Sequence, residues 1–276
     1  MRVLISADFE GVNGVVHPDQ IYPDGKGYKD ALGRWIKELN AIVEGLRESG
    51  VKEIVINDSH NHMRNLDNSL IPHASVVLGW QREYSMMSGV DKKIDACIFQ
   101  GYHSMGGSCA TLSHTYRPRI IKNVLLNKLP MGEAGLNATL AGFFNVPVIM
   151  VTGDEDACYE AQKLLGNQVV AVHTKKGLSR YSAFSYPFDV NLDNLKTGAI
   201  KAIKQKSKWE TYKLQKPYTI SVTFSEPNHA DAAELIPDVK RTADNEVSYT
   251  NKDYSIVFKC FLAMGALAAS RDEVIT

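Results

Sequence analysis

Residues 3–11 read Val3-Leu4-Ile5-Ser6-Ala7-Asp8-Phe9-Glu10-Gly11. The apolar run to Ala7 has no helical spacing and reads as a strand buried on both faces, as in the interior of a parallel sheet. It ends in two carboxylates, Asp8 and Glu10, which point the same way if the backbone stays extended. Like charges that close raise one another's pKa unless a cation lies between them. The plainer alternative is a strand that ends in solvated acids. The choice depends on how the other strands end.

From residue 11 to 27 the chain is rich in Gly, Pro, Asp and Asn, which marks a long loop. Tyr28, Leu32, Trp35, Ile36, Leu39, Ile42, Val43 and Leu46 then follow helical spacing, and Gly50 stops the helix. A second buried strand, Val51 to Asn57, completes a βαβ unit and runs into Asp58-Ser59-His60. After a short apolar stretch at Ala74 to Leu78, Ile94 to Gln100 forms a strand that runs into Gly101-Tyr102-His103. Three strands thus end in Asp8/Glu10, His60 and His103, and in open parallel sheets ligands bind outside the carboxyl ends of the strands.

Ser113-His114 lies in the polar loop that follows, Ile120 to Leu126 is a further strand, and Gly132-Glu133 opens a helix over Ala134 to Phe144. Pro147 to Thr152 is the next strand, Asp154 caps a helix running to Leu165, and Gln168 to His173 continues the βαβ rhythm. The composition shifts near residue 185. Beyond it come a lysine-rich amphipathic helix (Asp189 to Trp209), an alternating strand (Tyr218 to Phe224) and a short helix (Pro227 to Leu235). Two short strands follow around Asp244-Asn245, and a helix from Tyr254 to about Ser270 closes the chain. The expected fold is α/β: a mostly parallel sheet flanked by helices over 1–185, with a smaller α+β part over 186–276. One continuous fold is the alternative.

With 31 basic and 31 acidic side chains in 276 residues, net charge points neither to a nucleic-acid surface nor to a membrane one. The four cysteines form no CxxC pair, and no run of eighteen apolar residues occurs. A soluble, cytoplasmic protein with Cys97, Cys158 and Cys260 as buried thiols is expected. A GxSxG elbow, a Walker A loop, a GxGxxG turn and an HExxH helix are all absent, and Gly106-Gly107 is only a weak phosphate-loop resemblance.

Asp8, Glu10, His60, His103 and Glu133 together offer three carboxylates and two imidazoles. That set suits zinc, and manganese or iron less well; it lacks the thiolates of a structural zinc site. Five ligands exceed an ordinary three-ligand catalytic zinc and suit two ions if one carboxylate bridges them. Such a pair lowers the pKa of a bound water to about 7 and clamps a tetrahedral intermediate. His114, eleven residues past His103, can fold back over the same edge and is the best acid–base candidate, with direct attack on a carbonyl as its other possible role. His62 forms an H-x-H with His60 but lies in a polar loop. His17, His73, His173 and His229 read as exposed or capping residues. Asp58 reads as a turn residue, or as an orienter of the His60 ring.

The set Ser6-x-Asp8-x-Glu10-Gly11, Asn57-Asp58-Ser59-His60, Gly101-Tyr102-His103, Ser113-His114 and Gly132-Glu133-x-Gly135-Leu136-Asn137-Ala138 closely resembles the zinc D-aminopeptidases of the dipeptide-operon (DppA) family. Order and spacing agree over roughly the first 155 residues, and Gly153-Asp154 and Leu178-Ser179-Arg180 resemble later landmarks. Ser104 and Thr115 depart from the family's usual residues. The resemblance implies two zinc ions per chain held by Asp8, Glu10, His60, His103 and Glu133, with Asp8 as bridge. It also implies a catalytic His114, short peptide substrates with N-terminal D-residues, and a homo-oligomer, specifically a decameric ring. Two other readings stand beside it: a dimetal hydrolase of phosphoesters or cyclic amides, and a metal-binding protein without turnover.

Overall fold

The computed structural model describes residues 1–271. Its elements in chain order are β1 (Arg2–Ala7), α1 (Tyr28–Glu48), β2 (Glu53–Asp58), β3 (Ser75–Val77), β4 (Ala96–Tyr102), β5 (Ile121–Leu126), β6 (Leu129–Pro130) and α2 (Glu133–Phe143). Next come β7 (Val148–Asp154), α3 (Glu155–Leu165), β8 (Val170–Ser179), β9 (Ser182–Ser185), α4 (Phe188–Lys204), β10 (Tyr218–Phe224), α5 (Pro227–Ala233), β11 (Lys240–Ala243), β12 (Glu246–Asn251) and α6 (Tyr254–Ala269).

Seven strands form the first sheet in the order β3-β2-β1-β4-β7-β8-β9. All pairs are parallel except β8–β9. β1 is an interior strand, and its residues alternate between two cores as the strand period demands. Val3 and Ile5 pack with Trp35, Leu39 and Ile42 of α1 and with Leu195 and Ala199 of α4. Leu4 faces the other way, into a core shared with Phe99, α2, the second sheet and α6.

The second sheet is antiparallel, in the order β11-β12-β10-β5-β6. β10 shows the alternation its sequence promises, with Tyr218, Ile220, Val222 and Phe224 buried. The composition shift near residue 185 falls between β9 and α4. α4 packs in the core of the first sheet, whereas β5 and β6, from the first half of the chain, pair into the second. Where the helix was expected to reach Trp209, α4 ends at Lys204 and Trp209 folds back, its Nε1–H donating to the Ala202 carbonyl at 2.9 Å.

Strand register brings the site together. Ala7 pairs with Asp58 on one side and Gln100 on the other, so β1 and β2 end level and β4 runs two residues further, to Tyr102. The Asp8 N–H donates to the Gln100 carbonyl at 2.8 Å, and the Gly11 N–H to the Gly101 carbonyl at 2.7 Å. The backbones approach so closely that a Cβ at Gly11 would collide with the Tyr102 carbonyl oxygen, and one at Gly101 with that of Asp8. Gly101 also needs its φ of +70°, a region that favours glycine.

Candidate metal centre

Phe9, between the two acids, points to the side opposite both. Its ring is buried and stacks on Trp35, centroids 4.4 Å apart, and so turns Asp8 and Glu10 away from the α1 core. His60 follows β2, His103 follows β4, and Glu133 is the first residue of α2. The five side chains converge, each with 5 % or less of its surface exposed. Asp8 Oδ1 lies 3.5 Å from His60 Nδ1, and Asp8 Oδ2 lies 3.4 Å from His103 Nε2. Glu10 Oε2 is 3.0 Å from His60 Nδ1, and Glu133 Oε1 is 3.5 Å from His103 Nε2.

Backbone carbonyls set the tautomers. A carbonyl only accepts, so the ring nitrogen facing it carries the proton and the other is left bare in the neutral ring. His60 Nε2 donates to the Ile21 carbonyl at 2.9 Å, and His103 Nδ1 to the Ser104 carbonyl at 3.0 Å. The nitrogens turned to the carboxylates are thus Nδ1 of His60 and Nε2 of His103. Asp58 does not orient the His60 ring: its carboxylate accepts from the Asn65 and Leu66 N–H groups at 2.6 and 3.0 Å and shapes the loop after His60.

The arrangement fits a cation. Three carboxylates share one dry pocket, where unneutralised charge is expensive. Burial and the Glu10 carboxylate push Asp8 up to about 8. Burial also pushes Glu10 and Glu133 up, but His60 and His103 respectively outweigh it and hold both below the usual carboxylate range. The two imidazoles are correspondingly raised: burial opposes their charge, and Glu10 and Glu133 overcome it. A bound divalent ion would neutralise the same carboxylates. Asp8 Oδ2 and His103 Nε2 are buried and have no hydrogen-bond partner, as expected of atoms reserved for a metal. Donor atoms of Asp8, Glu10 and His60 lie within 4.8 Å of one another, as do those of Asp8, His103 and Glu133. Asp8 is common to both triads.

His114 does fold back over this edge. Its Nδ1 donates to the Leu112 carbonyl at 2.9 Å, leaving Nε2 bare, 3.8 Å from both Glu10 Oε1 and Glu133 Oε1. Burial and the adjacent His103 hold its pKa below the ordinary value. It also forms a third group of possible donors, with Glu10 and His103. His62 is exposed and lies outside the cluster, its ring 4.7 Å from that of Trp80. His17 caps a turn by accepting the Asp19 N–H. His229, in contrast to the exposed or capping role expected of it, is buried, with Nδ1 3.3 Å from Ser225 Oγ, because α5 lies beneath α6.

The D-aminopeptidase family model (peptidase M55) matches residues 1–263. The chain belongs to this family. It is 31% identical to a D-aminopeptidase of Bacillus subtilis (strain 168) over 97% of its own length and 98% of the relative's. Its fold matches the solved structure of the Zn-dependent D-aminopeptidase DppA from Bacillus subtilis, described as a self-compartmentalizing protease. That match has a TM-score of 0.95 and 28% identity, covering 99% of this chain and all of the other.

In this member of the D-aminopeptidase family, the residues that hold the Glu10 arm escape sequence reading. Lys175, fully buried in β8, donates through Nζ to the carbonyls of Glu10, Val12 and Val15. Thr174 Oγ1 lies between the carbonyls of Gly11 and Gly153, at 2.5 and 2.9 Å, and its one proton serves either. The Asn13 N–H donates to Glu38 at 2.9 Å, and Asn191 and Gln100 donate to the same buried carboxylate. Burial pushes Glu38 up to about 7 despite the Asn13 N–H and the nearby Lys175 charge, and burial brings Lys175 down to about 8. Nothing in the spacing of a lone Lys or Glu announces such roles. Of the two family departures, Thr115 Oγ1 accepts the Gly106 N–H at 3.1 Å, while Ser104 Oγ is buried without a partner.

Proposed function

We propose that the chain is a dizinc aminopeptidase that removes the N-terminal residue, of D configuration, from short peptides. The observation that carries the dinuclear reading is the divided carboxylate of Asp8, one oxygen toward His60 and the other toward His103. Asp8, Glu10 and His60 would hold one ion, and Asp8, His103 and Glu133 the other. Once bound, such a pair polarises the scissile carbonyl and lowers the pKa of water to about 7.

The chain's own residues supply the proton traffic. His114 Nε2 takes a proton from the attacking water and returns it to the leaving nitrogen, which is too basic to depart as an amide anion. Its position suits this: at 14 % side-chain exposure it is the most open of the six groups, so substrate enters past it. Tyr102 cannot substitute, since its hydroxyl is engaged with Ser6 Oγ at 2.7 Å and Asn137 Nδ2 at 2.9 Å.

The preference for D-residues is supported by the family's description. The self-compartmentalizing relative supports a homo-oligomer, which we take to be a decamer enclosing the sites. All four cysteines are free, in keeping with the cytoplasm, and among the described residues no helix is long and apolar enough to cross a membrane. The deciding experiment compares D-Ala-D-Ala and D-Ala amide with their L-forms and a phosphodiester, with and without chelator. Chelator-sensitive turnover of the D-forms alone supports the reading. Phosphodiester turnover, or none at all, defeats it.

A further inference from the structure

One edge of β8 is only half filled. Val170 to Lys175 pair with β7 on the inner side, but on the outer side β9 reaches only Lys175 to Ser179. The last contact on that outer edge runs from the Tyr186 N–H to the Thr174 carbonyl at 3.5 Å, after which the chain leaves through Pro187 into α4. Among the described residues no strand or loop backbone pairs with the outer edge of Val170-Ala171-Val172-His173. Alternate residues of this stretch therefore turn an N–H and a C=O outward without a backbone partner. Edges are commonly blunted by lysine or proline, and this stretch has neither.

Beyond the edge lies a groove of about 630 Å³, walled on its far side by Asn194, Thr197, Gly198 and Lys201 of α4. Their spacing sets them on one helix face. α4 runs opposite to β8. Asn191, near its start, shares the Glu38 carboxylate with Asn13, which reaches the Thr174 carbonyl, whereas a Cβ at Gly198 would collide with Val172. Lys201 therefore stands at the Val170 end of the groove. It is exposed, and among the described residues the ion-paired lysines are Lys92, Lys176, Lys196 and Lys259, which leaves its ammonium unpaired. Lys204, Lys206 and Lys208 extend the positive charge past it, with no acid between Asn194 and Lys208.

An extended segment laid here in line with β9, antiparallel to β8, satisfies the free edge and arrives at Lys201 with its C-terminal end. Four residues at about 3.3 Å each match the open stretch. We propose that this groove binds the C-terminal tail of a partner polypeptide, about four residues long, as an added antiparallel strand whose terminal carboxylate meets Lys201. The site is separate from the metal centre, which lies past the carboxyl ends of β1, β2 and β4.

The test is calorimetric titration of the full chain with acetyl-Thr-Val-Thr-Val, its C-terminal amide, and the acid N-methylated on either set of alternate residues. Acetylation removes the free amine that an aminopeptidase requires. The acid is expected to bind ~10-fold more tightly than the amide, the scale of a hydrogen-bonded charge at a surface. One N-methylation pattern should abolish binding, because strand pairing uses every other N–H. Lys201→Glu should erase the preference for the acid while leaving metal content and Tm as in the wild type. No saturable binding up to about 1 mM overturns the proposal. So does equal binding of acid and amide, binding that survives both methylation patterns, or a preference that Lys201→Glu retains. A changed mass of Lys201→Glu by light scattering also overturns it, since a second copy would then occupy the edge. The three peptide comparisons need no variant and decide the matter even where Lys201→Glu does not fold.

Discussion

The imidazole rings of His103 and His114 lie face to face, their centroids 4.0 Å apart and their planes 10° from parallel. Two imidazoles this close disfavour one another's charge. His103, between Asp8 and Glu133, has the carboxylates that favour it; His114, farther from them, is the ring left neutral. The stack thus separates a ring that faces the ligand carboxylates from one that can exchange a proton.

That division predicts the behaviour of His114→Ala. The variant should keep its metal and its assembly but lose on the order of 10²–10⁴-fold in kcat, the range of a lost acid–base group. His62→Ala, on the exposed Trp80 face, should stay within a few-fold of wild type. Kinetics alongside elemental analysis checks both. If His114→Ala loses metal, the side chain is a ligand and its assigned role is wrong.

Asp8 should be the ligand whose loss costs most. Dialysed protein is expected to carry close to two zinc ions per chain; Asp8→Ala should retain neither, while Glu10→Ala weakens mainly one. A wild-type stoichiometry of one that Glu133→Ala leaves untouched would refute the shared carboxylate.

Removing Lys175 tests the hold on the Glu10 arm. Lys175→Met strands three buried carbonyls and removes the cation facing the buried Asp154. A destabilisation of roughly 3–5 kcal/mol is expected, as when a buried charge loses its partner. Denaturant unfolding measures it, and a loss below about 1 kcal/mol, the scale of one ordinary hydrogen bond, would show the contacts to be incidental.

Glu38 gives a pH signature away from the metal ligands. Its folded pKa, about 7, lies above the ordinary 4.5, so between those values the folded chain binds more protons than the unfolded one. This group's contribution to stability therefore falls as pH rises from about 4.5 to 7 and levels off above. The difference in Tm between wild type and Glu38→Gln should accordingly move against the wild type across that window. A difference that is flat with pH, or that moves the other way, would contradict the assignment.

The convergence of the candidate ligands was legible because each sits at a punctuation mark. Asp8, His60 and His103 end apolar runs, and Glu133 opens a helix, so alignment of strand ends was enough to gather them. The Ile121–Leu126 strand was readable as a strand but not as a member of the second sheet. Its partner, Tyr218–Phe224, lies about a hundred residues on, and a strand's pattern does not name its neighbour. The hairpin of β8 and β9 was legible only to His173, because its exposed, polar outer half lacks the alternation of a half-buried strand. Lys175 owes its role to that hidden extension.

The junction between the sheets has one further consequence. Asp8, His60 and His103 belong to the strand ends of the first sheet, whereas His114 and Glu133 flank the excursion through β5 and β6 into the second. Ions held by Asp8, His60 and His103 on one side and Glu133 on the other would act as a rivet between two layers that otherwise meet through apolar packing. Whatever binds the folded chain alone stabilises it by mass action. Zinc would therefore fasten the molecule as well as arm it, and the chain stripped of metal should come apart first along that seam.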